Sequence, residues 1–359
     1  MVDPNELTTI EEKAKYVWET ADIALEQEVD RAYIFATLHK KCHDFPTFTV
    51  DEITIGKRLG SGGFSNVYEI TNIEVAAAAA AAVEVSQETT DHTTTSAHHY
   101  EITAAKQIMQ QRVQRYGKSR YAIKKLRPDL DNDLNYARGA IDLAIEIKYM
   151  SVLVHPNIVK MRAVRASIPR VSLDAFIIMD RLYGTLEDKL DVEWYQRSQA
   201  IQQQRLGVTT CCGRRHRPPT EAQLGQQAYD ADQFLKDRLL VAYDLTQAFH
   251  YMHDLQLCYR DIKPQNIGFD IRGDVKIFDF GLMKSMDPRF RVLAKIRGPQ
   301  PTYNLTGFTG SIPYVSCWHC VSSSLFDFRT KYIPYRSIYP IVQRRLISVP
   351  NWLSIFVSI

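Results

Sequence analysis

The sequence predicts an α+β chain in two parts, a small antiparallel sheet followed by a mainly helical portion. Three observations carry that reading. Between Ile53 and Leu126, apolar residues alternate in short runs broken by glycine, which is the patterning of strands and turns. Phe234–His253 keeps helical apolar spacing over its whole length. That helix runs directly into Tyr259-Arg260-Asp261-Ile262-Lys263-Pro264-Gln265-Asn266, followed by Asp279-Phe280-Gly281, where carboxylates, a lysine and an amide are concentrated.

Bulk properties narrow the function. At 359 residues the chain can bury a sizeable core, and its 45% apolar and 24% charged residues are those of an ordinary globular protein. A net charge of +3 is too small to argue for nucleic acid or an acidic membrane surface. No run reaches the roughly 18 apolar residues of a membrane span. The opening Met1-Val-Asp-Pro-Asn-Glu lacks the basic and then apolar regions of a secretory signal. Six cysteines without framework spacing fit a reducing compartment, so a cytoplasmic or nuclear location is expected. Cys317-Trp318-His319-Cys320 has neither a second CxxC nor a spaced histidine pair, and reads as unpaired thiols rather than a zinc site.

Taken in order, Ile10, Ala14, Val17, Ala21, Leu25, Val29 and Ala36 share one helical face, and Thr8 or Thr9 with Glu11 or Glu12 offers a capping box. Residues 1–48 are therefore expected to form a helical extension bounded near Pro46. Ile53–Leu59, Val67–Ile73 and Tyr121–Leu126 read as three antiparallel strands within a sheet part spanning 53–182. Between the last two lies an insertion at about 74–118, with an alanine tract, a Thr/Ser/His-rich stretch and a Gln-rich stretch. Such bias predicts a flexible loop, with a helix at 101–115. Ile141–Leu153 reads as a helix stopping near His155-Pro156, Val171–Met179 as a strand, and Leu182–Leu190 as a turn into helix. The helical part then covers 183–315, with a second polar insertion at about 191–231. Its run Arg214-Arg215-His216-Arg217-Pro218-Pro219 reads as a solvated loop.

The chemistry begins at Leu59-Gly60-Ser61-Gly62-Gly63-Phe64-Ser65-Asn66-Val67, between two expected strands. Glycines there let backbone amides approach triphosphate oxygens, although alone such a hairpin is equally a tight turn. It does not precede a helix, so a dinucleotide-binding turn fits poorly. In Tyr121-Ala122-Ile123-Lys124, strand alternation puts Ala122 and Lys124 on one face and Lys125 on the other. Asp261 can accept a hydroxyl proton, Lys263 can neutralise a transferred phosphoryl group, and Asn266 and Asp279 offer hard oxygens for Mg²⁺ on a nucleotide.

These segments resemble the eukaryotic protein kinases. The pattern G-x-G-x-x-G-x-V is met at Gly60, Gly62 and Val67, with Ser65 in place of the third glycine. Tyr121–Lys124 resembles the family's V-A-I-K strand, and Glu146, ten residues before Pro156 of His155-Pro156-Asn157-Ile158, stands where the family places the partner of that lysine. The resemblance implies a bilobal protein-kinase-like fold with a small antiparallel-sheet N-lobe and an incomplete, mainly helical C-lobe. It implies a catalytic set of Asp261, Lys263, Lys124 and Glu146. An ATP site would involve Leu59, Gly60, Ser61, Gly62, Gly63, Val67, Ala122, Lys124 and Met179, with Mg²⁺ at Asn266 and Asp279. Met150, Met161, Tyr259 and Phe280 would stack as an apolar spine, with Asp180–Leu182 as the hinge. Lys263 is similar to the serine/threonine-specific branch. Arg260 implies control by an upstream kinase acting on the activation loop, at Thr302, Tyr303, Thr306 or Thr309.

Thr309-Gly310-Ser311-Ile312-Pro313-Tyr314 resembles the end of the family's activation segment, with Ser311 expected to bond the catalytic Asp and Lys, and the likeness stops after Tyr314. Residues 316–359 are expected to be a non-family tail: no D-x-W-x-x-G motif occurs there, and Leu346–Ile359 carries no charge. Val315-Ser316 can be encoded by GTAAGT, a splice-donor-like sequence, which makes translated intron or frameshifted sequence one expected origin of that tail, the alternative being a genuine, divergent short form. The functional expectation is an ATP-dependent serine/threonine kinase acting on protein hydroxyls. Its rival is a non-catalytic, pseudokinase-like nucleotide-binding or scaffold protein. A small-molecule kinase is disfavoured by the His155–Ile158 and Thr309–Tyr314 elements.

Overall fold

The β-rich portion is organised by alternation. In Tyr121–Leu126 (β6), Tyr121 and Ile123 turn into an apolar layer with Phe48, Ile53, Ile70, Ile73, Phe176 and Ile178. The structure, a computed structural model, describes residues 45–75, 94–130, 133–165, 174–206 and 220–286. It also describes residue 19 and the short strands 291–292, 302–303 and 326–327. These residues form an α+β protein of two units. The first comprises Met1–Leu182, Leu255–Tyr259 and Asp279–Asp287; the second comprises Tyr183–Asp254, Arg260–Phe278 and Pro288–Ile359. Two segments from beyond residue 182 thus group with the first unit, a return of the chain that a linear division at 182/183 does not express.

In the first unit, β1 (Thr47–Phe48), β2 (Ile53–Ser61), β3 (Ser65–Ile73), β6, β7 (Met161–Arg165) and β8 (Phe176–Asp180) make one six-stranded sheet in the order β1-β7-β8-β6-β3-β2. Every pairing is antiparallel except β1 with β7. Thr47 and Phe48 therefore belong to the sheet and not to the preceding extension, because the fully buried Phe48 side chain needs the apolar layer. Residues 1–44 of the extension lie outside the described residues, apart from Glu19, which is helical.

The first insertion departs from a flexible loop. Thr94–Gln111 is a helix, α1, longer toward its N-terminus than the expected 101–115, and it leads into a small hairpin of β4 (Gln114–Arg115) and β5 (Lys118–Ser119). Compositional bias hid three residues that anchor it. Met109 joins the apolar layer at 5% exposure, Val113 packs against it, and Thr103 is buried. Lys106 adds a 2.5 Å ion pair to Glu52 and stands 4.7 Å from the Phe48 ring centroid. Residues 76–93 lie outside the described residues.

The long helix α2 (Asp133–Val152) begins eight residues before the expected Ile141. The early turns are fixed by packing that periodicity alone does not show. A Cβ on Gly139 would come 2.7 Å from Phe64 Cβ and 3.0 Å from Leu126 Cδ2, so only glycine lets the helix approach the β2–β3 hairpin this closely.

In the second unit, α3 (Leu186–Asp188) opens with a capping box in which Thr185 and Asp188 bond reciprocally. It continues through a π-helical turn at Lys189–Trp194 into α4 (Tyr195–Leu206). Then comes α5 (Glu221–Asp254), which starts well before the expected Phe234. Much of 191–231 is therefore helical and not a polar loop, since its glutamines are good helix formers and Trp194 is buried. The Arg214–Pro219 run lies outside the described residues. β9 (Leu257–Cys258) belongs to the first unit; in the second, a 3₁₀ turn at Pro264–Asn266 leads into the hairpin of β10 (Ile267–Phe269) and β11 (Val275–Ile277). Among the described residues no helix is long and apolar enough to cross a membrane.

Docking of α1 predicts that Met109→Ala lowers stability by about 2–5 kcal/mol, the usual cost of a buried cavity. Thermal unfolding checks this; an unchanged Tm would contradict the packing.

Candidate active site

In the first unit, the β6 face opposite the apolar layer carries Ala122 and Lys124. Register aligns Ala122 with Glu69 and Met179, and Lys124 with Val67 and Ile177. Lys125 points the other way, its ammonium 5.9 Å from the Tyr68 ring centroid. Lys124 Nζ donates to Glu146 Oε2 at 2.5 Å and to Asp279 Oδ1 at 2.9 Å. Glu146 sits on the buried face of α2 at 2% exposure, and a carboxylate so placed needs a cation. Burial by itself pushes the Lys124 amine down. The Glu146 and Asp279 carboxylates outweigh it and hold the group above its ordinary value, so it stays charged.

Asp279 has a φ of +67°, a left-handed conformation that costs a non-glycine residue energy and persists only where its surroundings hold it. The next residue anchors it: Phe280 is fully buried and meets the Tyr259 ring edge-on at 5.6 Å. Met150 and Met161 are buried as well, and Met161 pairs in register with Met179.

The glycine-rich turn joins β2 to β3, with Gly60 opposite Val67 and Ser61 opposite Asn66. Gly62 N–H donates to the Ser65 carbonyl at 2.8 Å, and Ser61 Oγ to Asn66 Oδ1 at 2.8 Å. Space is open at Gly60 and Gly63, where an added Cβ would meet nothing within 4 Å. Leu59 precedes them on the same strand.

In the second unit, the loop after Arg260 converges on one carboxylate. Asp261 Oδ2 accepts from Lys263 Nζ at 2.7 Å and from Asn266 Nδ2 at 2.7 Å, and Asn266 Nδ2 also reaches the Asp261 carbonyl at 3.1 Å. Asp261 and Asn266 are buried, while Arg260 takes a left-handed φ of +67° that turns the chain into the loop. Pro264 opens the 3₁₀ turn that carries Asn266 back to Asp261, and Phe278 N–H bonds the Asn266 carbonyl at 3.1 Å. With its amide nitrogen on Asp261, Asn266 has its amide oxygen as the atom suited to a hard cation.

Residues 219–316 match the family described as "Protein kinase domain". Stretches of the chain are similar to curated proteins of that kind. It is 52% identical over 46 residues to the cAMP-dependent protein kinase catalytic subunit 2 of Drosophila melanogaster, covering 13% of each chain. It is 32% identical over 125 residues to the protein kinase gsk31 of Schizosaccharomyces pombe, covering 33% of this chain and 32% of that one. It is 30% identical over 122 residues to the CBL-interacting serine/threonine-protein kinase 15 of Arabidopsis thaliana, covering 31% and 28% respectively. The chain thus spans about a third or less of these relatives' length. With the antiparallel-rich sheet and the helices, these matches support membership of the eukaryotic protein kinase superfamily, the family match itself lying in residues 219–316.

Three residues that no motif announces also shape these groups. Arg127 N–H bonds the Phe64 carbonyl at 3.0 Å and its guanidinium the Gly62 carbonyl at 3.4 Å, which ties down the glycine-rich turn. Gly139 brings α2 against the same turn. Asp142, one turn before Glu146, lies against Gly281, where an added Cβ would stand 3.5 Å from Asp142 Cβ. Its signal in the sequence is the four-residue spacing to Glu146 on a helix face. The expected phosphorylation positions Thr306 and Thr309, together with Ser311 and Cys317–Cys320, lie outside the described residues; Thr302 and Tyr303 form a short strand.

Burial pushes the Asp142 carboxyl up from 3.8 to about 6; the Asp279 and Glu146 charges add to the rise, and Lys124 and Arg138 oppose it. The folded state therefore binds this proton more tightly than the unfolded chain. That stabilisation is complete below about pH 4 and is lost as pH rises through about 6. Asp142→Asn is expected to gain stability over wild type across that window and to keep the gain above it. Tm measured from pH 4 to 8 checks this, and a pH-independent difference would contradict it.

Proposed function

We propose that the chain is a protein serine/threonine kinase that transfers the γ-phosphate of ATP, as its Mg²⁺ complex, to hydroxyl groups of proteins. The observation that carries the reading is the Lys124 ammonium fixed between Glu146 and Asp279. Its second support is the Asp261 carboxylate fixed by Lys263 and Asn266. The names of relatives that include serine/threonine kinases and the lysine at 263 favour hydroxyls of serine and threonine.

The donor set fits the group it would serve. Mg²⁺ takes one or two protein oxygens and completes its shell with phosphate oxygens and water. Asn266 and Asp279 each supply an oxygen of the right hardness. Gly60 and Gly63 leave backbone that phosphate oxygens can approach without a Cβ in the way. When bound, Mg·ATP supplies the phosphoryl group and offsets its charge.

The chain's own residues do the rest. Lys124, kept charged by its two carboxylates, orients the α- and β-phosphates. Glu146 fixes the direction of the lysine side chain. Asp261, with Oδ2 engaged by two donors, orients the substrate hydroxyl and takes its proton, and Lys263 balances charge on the transferred group. Ala122 and Met179, adjacent in register and both buried, supply an apolar wall for adenine.

Transfer from γ-labelled ATP to a generic protein substrate tests the reading. Asp261→Asn is expected to lower kcat by about 10²–10⁴-fold, with Mg·ATP affinity little changed. Lys124→Met is expected to abolish transfer, as is removal of Mg²⁺ by EDTA. Mg·ATP binding by the wild type without any transfer would contradict the proposal and favour the non-catalytic, nucleotide-binding reading.

A further inference from the structure

In the first unit, away from the candidate catalytic groups, the hairpin of β4 and β5 carries a cluster of cations around one exposed ring. Residues 112–120 hold Arg112, Arg115, Lys118 and Arg120 and no acidic residue, so these four charges exceed the +3 of the whole chain. Register sets Arg115 opposite Lys118. Lys118 is exposed, Ser119 buried, Arg120 half-buried and Tyr121 buried, so Arg120 falls on the outward face with Lys118. Like charges directly opposite each other on paired strands are destabilising. Among the described residues no carboxylate is ion-paired with Arg112, Arg115 or Arg120.

The tip is strained as well. Tyr116 and Gly117 have φ of +51° and +69°, the left-handed pair that a two-residue turn between strands requires. Glycine and asparagine adopt it readily, whereas a tyrosine there costs free energy. Packing does not explain the tyrosine. It is 84% exposed, and its ring is met by the Arg115 guanidinium, whose carbon stands 5.2 Å from the centroid. The root of the hairpin, by contrast, is fixed. Val113 packs on the apolar layer, Arg120 N–H bonds the Val113 carbonyl at 2.8 Å, and Gln114 Nε2 donates to the Thr71 carbonyl at 3.4 Å. An open tip on a fixed root presents its side chains preorganised. Tyrosine and arginine are the residue types that dominate protein–protein contacts. A tip with open space around Gly117 offers no groove to track a nucleic-acid backbone.

We propose that the β4–β5 hairpin is a docking site for an acidic segment of a partner protein. Carboxylates of that segment neutralise the opposed Arg115 and Lys118, with Arg120 beside them, and an apolar side chain covers the Tyr116 ring. The left-handed tyrosine is kept for this contact. The site is independent of phosphoryl transfer.

The test uses the full chain and two fluorescent peptides, one of alternating glutamate and leucine and one with glutamine for every glutamate. At physiological ionic strength the glutamate peptide is expected to bind, read as a rise in fluorescence anisotropy, and the glutamine peptide is not. Arg115→Ala with Lys118→Ala should weaken binding about tenfold or more. Lys57→Ala with Lys160→Ala, which removes the same charge from exposed positions elsewhere, should leave it unchanged. Tyr116→Asn should weaken binding while raising Tm by about 1–3 °C, since asparagine suits the turn. No binding by the wild type, equal binding of both peptides, or affinity kept without Arg115 and Lys118 would overturn the proposal. So would an equal loss without Lys57 and Lys160, or a Tm lowered by Tyr116→Asn. A single-stranded oligonucleotide or phosphatidylserine vesicles bound more tightly through the same two cations would also overturn it, in favour of nucleic acid or a membrane.

Discussion

The first unit depends on a buried ammonium that needs both of its carboxylates. Lys124 is carried to its place by the alternation of β6, Glu146 by the helical phase of α2, and Asp279 by a backbone in the left-handed region. None of these placements is comfortable alone. A buried glutamate without a cation, a lysine withdrawn from water or an aspartate at positive φ each costs free energy. Together they satisfy one another, so strand, helix and the Asp279–Gly281 turn are mutually required. Phe280, packed against Tyr259, holds the turn from its apolar side.

Packing around the sheet fixes the geometry that the ion pair needs. On one face, α1 completes an apolar layer through Met109, with the Lys106–Glu52 pair at its rim. On the other side Gly139 lets α2 come against Phe64 and Leu126, which joins the helix bearing Glu146 to the glycine-rich turn. Arg127 holds that turn by two of its carbonyls. In the second unit the same economy is local: a left-handed Arg260, a proline-led 3₁₀ turn and two donors fix Asp261 within one short loop.

Strands β2, β3 and β6 and the spacing of the candidate site residues were legible because both rest on local pattern, whereas β1 and β7 were not. Tyr121–Leu126 alternates as a strand should and is one, and Lys124 with Lys125 on opposite faces follows from that period alone. The helix before the Asp261 loop was legible in its second half, where apolar residues repeat, and not from Glu221 to Gln233, where polar helix formers dominate. The insertion hid its helix for a similar reason: Thr, His and Gln composition reads as a loop, and only contacts with distant Phe48 and Ile53 show why it folds. Arg127 and Gly139 act through residues remote in sequence, Gly62 and Phe64. No window of neighbouring residues contains those partners.

The central claim is that Lys124 and Glu146 act as one unit in engaging nucleotide. A double-mutant cycle of Lys124→Met and Glu146→Gln, read as Mg·ATP affinity, tests it most directly. If the pair is a unit, the double variant should lose little more than the worse single variant, with a coupling free energy above about 1 kcal/mol. Losses that add to within about 0.5 kcal/mol would contradict the account.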